Sequence, residues 1–100
     1  ALQRLVIDRQ GGFATHVRTH WAWTFPLPDA IPDAHAAPLL CAGITVHAPI
    51  AAHVRPIHRT AVIGVGGLGH LAIQFLAKSG CEVVAFTKPG ADGDDVRRLG

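Results

Sequence analysis

The chain has few charged residues and little sulfur, and each shortage excludes a class of protein. Charged residues make up 16% of the 100 residues, whereas hydrophobic residues make up 49%, a balance that argues against disorder. The formal net charge is only +2, and the basic residues form no stripe, so no nucleic-acid partner is predicted. The two cysteines are too few for a disulfide scaffold, which makes a reducing, cytoplasmic location the default.

The sequence also lacks methionine, a basic-then-apolar leader and any apolar run near the roughly 20 residues that span a bilayer. Neither a secretion signal nor a membrane span is therefore predicted. The chain stops soon after a strand–helix–strand pattern. Such a unit leaves sheet edges and faces that a parallel sheet needs covered, so we interpret the chain as an internal segment of a longer protein.

The clearest pattern is a glycine-rich stretch between an apolar run and a helical repeat. Gly64, Gly66 and Gly69 have the G-x-G-x-x-G spacing, and Gly67 adds a fourth glycine. The mostly apolar run before them predicts a strand buried on both faces, and a second strand is predicted over residues 81–87. Between the two, a helical stripe is predicted from Leu68, Leu71, Ala72, Phe75 and Leu76. A strand, a glycine turn, a helix and a strand are the context in which this motif binds a dinucleotide.

Each glycine has a separate physical task in such a turn. Gly64 permits the tight turn, Gly66 lets the backbone approach a pyrophosphate, and Gly69 lets the helix pack closely on the strand. The free N–H groups of the first helical turn then point at the phosphates, whose negative charge the helix dipole favours. A glycine-rich turn without a ligand is the alternative, and the flanking pattern favours the dinucleotide site.

The stretches before the glycine turn give weaker patterns. Residues 11–20 alternate with a period of two, which predicts a half-buried strand. Residues 21–32 are rich in proline and aromatic side chains and predict an extended connector. Residues 34–40 are expected to be helical but strained or broken at Pro38, and residues 42–53 are expected to be helical but interrupted at Pro49.

Three stretches, taken in order and at their spacing, resemble the medium-chain dehydrogenase/reductase superfamily. They are residues 11–17, residues 38–45 and residues 64–70. Within that superfamily the chain is similar to zinc-dependent cinnamyl-alcohol-dehydrogenase-like enzymes, and it resembles their bacterial NADPH-dependent aldehyde reductase branch. The features of that branch are residues 25–29, Phe-Pro-Leu-Pro-Asp, and residues 81–86, Cys-Glu-Val-Val-Ala-Phe.

The resemblance implies an α/β fold with a partial Rossmann unit in the order β-α-β-α, preceded by a strand and a crossover from a GroES-like catalytic domain. Residues 1–20 would end the catalytic domain, residues 21–59 would form the interdomain crossover, and residues 60–100 would form the first half of the NADP-binding Rossmann domain. A homodimer, a cytoplasmic location and a small aldehyde or alcohol as substrate are further implications.

The resemblance also implies roles for single residues in the crossover and in the turn. Cys41 matches the family cysteine that gives the catalytic zinc a thiolate. On its own, a cysteine in this apolar setting is more often a small buried hydrophobe. Thr45 matches a position beside the nicotinamide ring, although it could instead bond back to a helix carbonyl. Leu68 matches a contact to the pyrophosphate and nicotinamide.

Residues after the second strand bear on the choice of cofactor. An NAD enzyme usually has an acidic residue there that binds the ribose 2′-hydroxyl. This chain has Thr87 and Lys88 instead, a hydrogen-bond donor and a positive charge that favour the 2′-phosphate of NADP(H). The alternative is that Lys88 is a solvated turn residue.

The resemblance therefore implies a segment of a zinc-dependent NADP(H) oxidoreductase that interconverts aldehydes and primary alcohols by hydride transfer. No catalytic residue beyond the metal ligand can be assigned, and the segment alone is expected to be inactive. One alternative is a zinc-free medium-chain reductase of the quinone or enoyl type. The other is a non-catalytic Rossmann remnant that binds a nucleotide or nothing.

Overall fold

The computed structural model describes residues 14–90 and 93–100. Among these residues the first element is a 3-10 turn, Trp21–Trp23. A helical stretch follows, made of α1 (Asp33–Pro38), a π-helical turn (Leu39–Gly43) and α2 (Ile44–His53). The rest alternates strands and helices: β1 (Arg59–Ile63), α3 (Gly69–Lys78), β2 (Glu82–Phe86) and α4 (Gly93–Arg97).

The two strands lie side by side and run parallel. Their register joins Arg59 to Glu82 at one end and Ile63 to Phe86 at the other, and α3 makes the crossover between them. The Arg59 and Glu82 side chains form an exposed ion pair, with 2.7 Å between Nη2 and Oε1. The predicted α/β class, with parallel strands, is confirmed.

The core centres on α3, where Ile73 and Leu76 are 2% and 5% exposed. Leu76 belongs to the predicted stripe, but Ile73 does not, and Leu68 from that stripe is 50% exposed. The difference arises because α3 packs against both strands and also against α2 and the π-helical turn. More of its circumference is therefore covered than one apolar stripe indicates.

The sequence predicted that β1 is buried on both faces, and this prediction is wrong. In each strand, exposed and half-buried residues alternate, and Ile63 and Phe86 are 86% and 56% exposed. Within residues 14–90 and 93–100, α3 covers one face of the sheet and nothing covers the other. Val84 and Phe86 of β2 therefore present apolar surface to solvent.

A Schellman motif ends α3 at Gly80, because glycine readily adopts the left-handed conformation that this helix stop requires. Gly80 has a φ of +85°, and its N–H donates to the Ala77 carbonyl at 3.0 Å. The Cys81 N–H donates to the Leu76 carbonyl at 3.1 Å. These two hydrogen bonds satisfy carbonyl groups that the end of the helix would otherwise leave unpaired. The chain then enters β2 at Glu82, directly after Cys81.

We expect Gly80→Ala to lower the free energy of unfolding by about 1–2 kcal/mol, because a side chain at positive φ is strained. The measurement is a denaturant melt of the protein that carries this segment. Gly93→Ala is the matched control, since Gly93 has no positive φ and open space around it. Equal stability of the two variants would contradict the prediction.

The helical stretch before the sheet is continuous, although interruptions at Pro38 and Pro49 were predicted. Residues 33–53 form one helical run of 21 residues with a mean hydropathy of 1.3 in its apolar window, because neither Pro38 nor Pro49 ends it. By length and composition this run is long enough to cross a membrane, whereas no apolar run near that length was expected from the sequence. Core helices and signal sequences share this length and composition, so the run does not by itself identify a membrane span.

Residues 14–20 do not form the predicted strand. They have irregular, exposed conformations, because neither strand of the described sheet pairs with them. Residues 11–13, the start of the predicted strand, lie outside the described residues.

Candidate functional site

The candidate site lies where β1 ends and α3 begins. Gly64 has a φ of +91°, a conformation that favours glycine, so its predicted role in a tight turn is confirmed. Its N–H donates to the Phe86 carbonyl at 2.8 Å. This bond ties the glycine turn to the end of β2 and brings Thr87 and Lys88 beside it.

An open cleft of about 490 Å³ lies beneath the turn. Its lining consists of Gly64, Val65, Gly66, Leu68, Gly69, Thr87 and Lys88. The structure thus brings together six of the residues predicted to bind the cofactor. Gly67 lies instead on a neighbouring apolar cavity, which Leu68 also lines.

The remaining glycines of the turn differ in the space around them. A Cβ at Gly66 would meet no atom within 4 Å, so this backbone is open to a ligand. A Cβ at Gly69 would overlap the Gly64 carbonyl oxygen and lie 3.0 Å from the Gly64 carbonyl carbon. The close packing predicted for Gly69 is therefore confirmed, and no other residue fits there without movement of the chain.

The local charge around the cleft suits an anion. The first turn of α3 carries no acidic side chain. In the part of the chain that the structure describes, the N–H groups of Gly67 and Leu68 have no backbone partner. The His70 ring turns back to the Gly66 carbonyl, with 3.1 Å between Nδ1 and the oxygen, so it caps the turn. Helix N-termini of this kind bind phosphate groups.

Cys41 and Thr45 lie apart from this cleft, on the long helical run. Cys41 is in the π-helical turn, and its thiol is free and exposed. The Thr45 hydroxyl donates to the Cys41 carbonyl at 2.9 Å, which is the alternative considered for Thr45 from the sequence. Neither residue lines the cleft, so the structure does not bring them together with the glycine turn.

The side chains of this region offer a zinc ion one donor, the Cys41 thiol. A free, exposed thiol fits the role of one thiolate ligand, a donor that zinc prefers. Among residues 14–90 and 93–100, however, no group of three His, Cys, Asp or Glu side chains is placed to hold a metal. Any zinc bound at Cys41 would need its other ligands from elsewhere in a longer protein.

Sequence reasoning missed two features of this region. One is the π-helical turn around Cys41, for which the only local signal is the preceding Pro38. The other is an apolar cavity of about 730 Å³ between α1 and α3. Its polar groups come from His35, His70 and Gln74, which are too far apart in the sequence to form a motif.

Comparison with known proteins gives related sequences but no matching family model. The chain is 45% identical over 96 residues to the aldehyde reductase AdhA of Synechocystis, covering 95% of this chain and 29% of that protein. It is 44% identical over 80 residues to a probable cinnamyl alcohol dehydrogenase 1 of Oryza sativa, covering 78% of this chain and 23% of that protein. It is 33% identical to the NADP-dependent alcohol dehydrogenase 6 of Saccharomyces cerevisiae, covering 91% of this chain and 26% of that protein.

A solved structure agrees with these relatives. A cinnamyl alcohol dehydrogenase from Sorghum bicolor superposes with a TM-score of 0.66 at 41% identity, covering 73% of this chain and 22% of that one. The chain therefore spans between a fifth and a third of the length of these relatives.

Proposed function

This chain is a homologue of the cinnamyl-alcohol-dehydrogenase-like alcohol dehydrogenases and aldehyde reductases, and we propose that it is a segment of a zinc-dependent NADP(H) oxidoreductase. The substrates are small aldehydes and primary alcohols. The observation that carries the proposal is the cleft that joins the glycine turn to Thr87 and Lys88. A partial Rossmann domain would account for both the parallel strands and this cleft.

Different residues of the cleft would bind different parts of the cofactor. Residues 64–69 would hold the pyrophosphate against the open backbone at Gly66 and the N-terminus of α3. Thr87 and Lys88 would bind the 2′-phosphate by a hydroxyl donor and a positive charge. Leu68 lines both the cleft and the apolar cavity beside it, where it would contact the nicotinamide half.

The interdomain crossover, residues 21–59, would supply one ligand of the zinc ion, Cys41. When bound, NADPH supplies a hydride to the carbonyl carbon and zinc polarises the carbonyl oxygen. Cys41 would hold the zinc through its thiolate, and Thr45, one helical turn later, would lie beside the nicotinamide ring. No described residue is assigned to the proton relay that would protonate the alkoxide.

The domain boundaries follow from the same proposal. Residues 1–20 would end a GroES-like catalytic domain, residues 21–59 would cross over, and residues 60–100 would begin the cofactor domain. The whole protein would be a cytoplasmic homodimer, and the 100-residue segment alone would be inactive because it supplies one zinc ligand.

Lys88→Ala tests the cofactor assignment. In the whole protein, we expect the variant to raise the Kd for NADPH about tenfold and leave the Kd for NADH within about twofold, because only NADPH carries the 2′-phosphate. Fluorescence titration of both cofactors gives the two constants. Lys78→Ala is the matched control, since Lys78 is exposed at the far end of α3.

Other results of the cofactor titrations and of an activity assay would favour a different function. An equal loss for NADPH and NADH would show that Lys88 does not recognise the 2′-phosphate. Nucleotide binding by the wild-type protein without aldehyde-dependent NADPH oxidation would favour a non-catalytic nucleotide-binding remnant.

A further inference from the structure

One peptide group of the glycine turn is held by a side chain of α3. The Gly66 carbonyl accepts two hydrogen bonds from His70, one from the backbone N–H at 3.0 Å and one from ring Nδ1 at 3.1 Å. A carbonyl oxygen can only accept, so Nδ1 carries the hydrogen of this bond. The half-buried His70 therefore uses both lone pairs of one carbonyl oxygen.

The other edge of the same peptide group is open. The peptide is trans, so its N–H, which belongs to Gly67, points opposite to the Gly66 carbonyl and out of the N-terminus of α3. Among the described residues, no backbone carbonyl accepts this N–H. A Cβ at Gly66 or at Gly67 would meet no atom within 4 Å. This N–H is therefore accessible to the pyrophosphate of the proposed cofactor.

The orientation of this peptide group depends on few restraints. It lies between two glycines, which allow more backbone conformations than any other residue. The N-cap residue of α3, Leu68, makes no side-chain hydrogen bond to the helix. Without the His70 ring, a single backbone hydrogen bond would oppose a rotation that turns the Gly66 carbonyl, instead of the Gly67 N–H, toward the phosphates.

We propose that His70 is a positioning residue for the pyrophosphate site. Its Nδ1–H holds the peptide between Gly66 and Gly67 in the orientation that presents the Gly67 N–H to the cofactor. The inference rests on the proposed function, because it takes the glycine turn as the cofactor site. It deepens that function by assigning a residue outside the glycine motif.

A second contact on α3 provides a reference for this bond. The Gln74 side chain donates to the His70 carbonyl at 3.2 Å. It also spans four residues, but it holds a carbonyl inside the helix and not one of the glycine turn. An effect on cofactor binding that is specific to His70 would therefore separate positioning of the turn from ordinary stabilisation of the helix.

The experiment measures ligand binding by variants of the whole protein. His70→Phe and His70→Ala both remove the ring N–H, and they differ in side-chain bulk, so either variant decides the question if the other does not fold. His70→Asn keeps an N–H donor close to the position of Nδ1. Gln74→Leu is the matched control. The probes are NADPH, NADH and adenosine 2′-monophosphate, which carries the 2′-phosphate but no pyrophosphate.

We expect His70→Phe and His70→Ala to raise the Kd for NADPH and the Kd for NADH about tenfold each, because hydrogen bonds to charged groups contribute more than neutral ones. The Kd for adenosine 2′-monophosphate should stay within about twofold in both variants. His70→Asn and Gln74→Leu should bind all three ligands nearly as well as the wild type.

Three results would overturn the inference and leave the proposed function intact. One is unchanged NADPH binding in His70→Ala or His70→Phe. The others are an equal loss for adenosine 2′-monophosphate and an equal loss in Gln74→Leu, because either would reveal a general effect on α3. A wild-type protein that binds neither NADPH nor NADH would overturn both the inference and the proposed function.

Discussion

Cys41→Ser is expected to reduce kcat/KM for aldehyde reduction by about 10³-fold or more. Polarisation of a carbonyl by a metal ion contributes several kcal/mol to the transition state, and each 1.36 kcal/mol is a factor of ten in rate. A serine hydroxyl is not a thiolate, so the metal content of the purified protein should fall together with the rate. The measurements are NADPH oxidation and metal analysis of the same preparation.

Cys81→Ser is the matched control for this prediction. The Cys81 thiol donates to the Arg55 carbonyl at 3.4 Å, a contact that a hydroxyl can also make, and no zinc role is assigned to it. We expect its rate and metal content to stay near those of the wild type. If Cys41→Ser behaves like Cys81→Ser, the zinc-free reductase of the quinone or enoyl type becomes the better assignment.

Gly69→Ala is expected to have the largest effect on the fold. The added methyl group would overlap the Gly64 carbonyl oxygen, and neither partner is the flexible end of a side chain. Overpacking of this kind costs about 1–3 kcal/mol and sometimes more. Because the displaced carbonyl belongs to the glycine turn, NADPH binding should weaken along with stability.

The control for Gly69→Ala lies in the same turn. A Cβ at Gly67 would meet no atom within 4 Å, and Gly67 does not have a positive φ. We expect Gly67→Ala to change the unfolding midpoint by only a few degrees, whereas Gly69→Ala lowers it strongly or prevents soluble expression. Wild-type stability of Gly69→Ala would contradict the close packing described at this position.

The glycine turn could be predicted from the sequence because its requirements are local. A positive φ at Gly64 and the absence of a Cβ at Gly69 are properties of single residues in a short motif, and both are borne out. The end of α3 at Gly80 was predictable for the same reason. Thr87 and Lys88 meet the turn because parallel strands end at one edge of a sheet.

The features that were mispredicted depend on more distant parts of the molecule. Ile73 is buried because it faces β2 and lies against Gly100, contacts that no stripe on α3 itself indicates. Pro38 was expected to interrupt the helix, but the chain continues by widening into the π-helical turn. The alternation in residues 14–20 predicted a strand, yet a strand also needs a partner, and the described sheet provides none for it.

The exposed face of the two-stranded sheet has a consequence during synthesis of the protein. β1, α3 and β2 are close in sequence, so they can assemble with one another soon after they leave the ribosome. At that stage Ile63 and Phe86 are still uncovered, as they are here, and the strand edges are free to pair with another nascent chain. A polypeptide with this face uncovered would benefit from a chaperone.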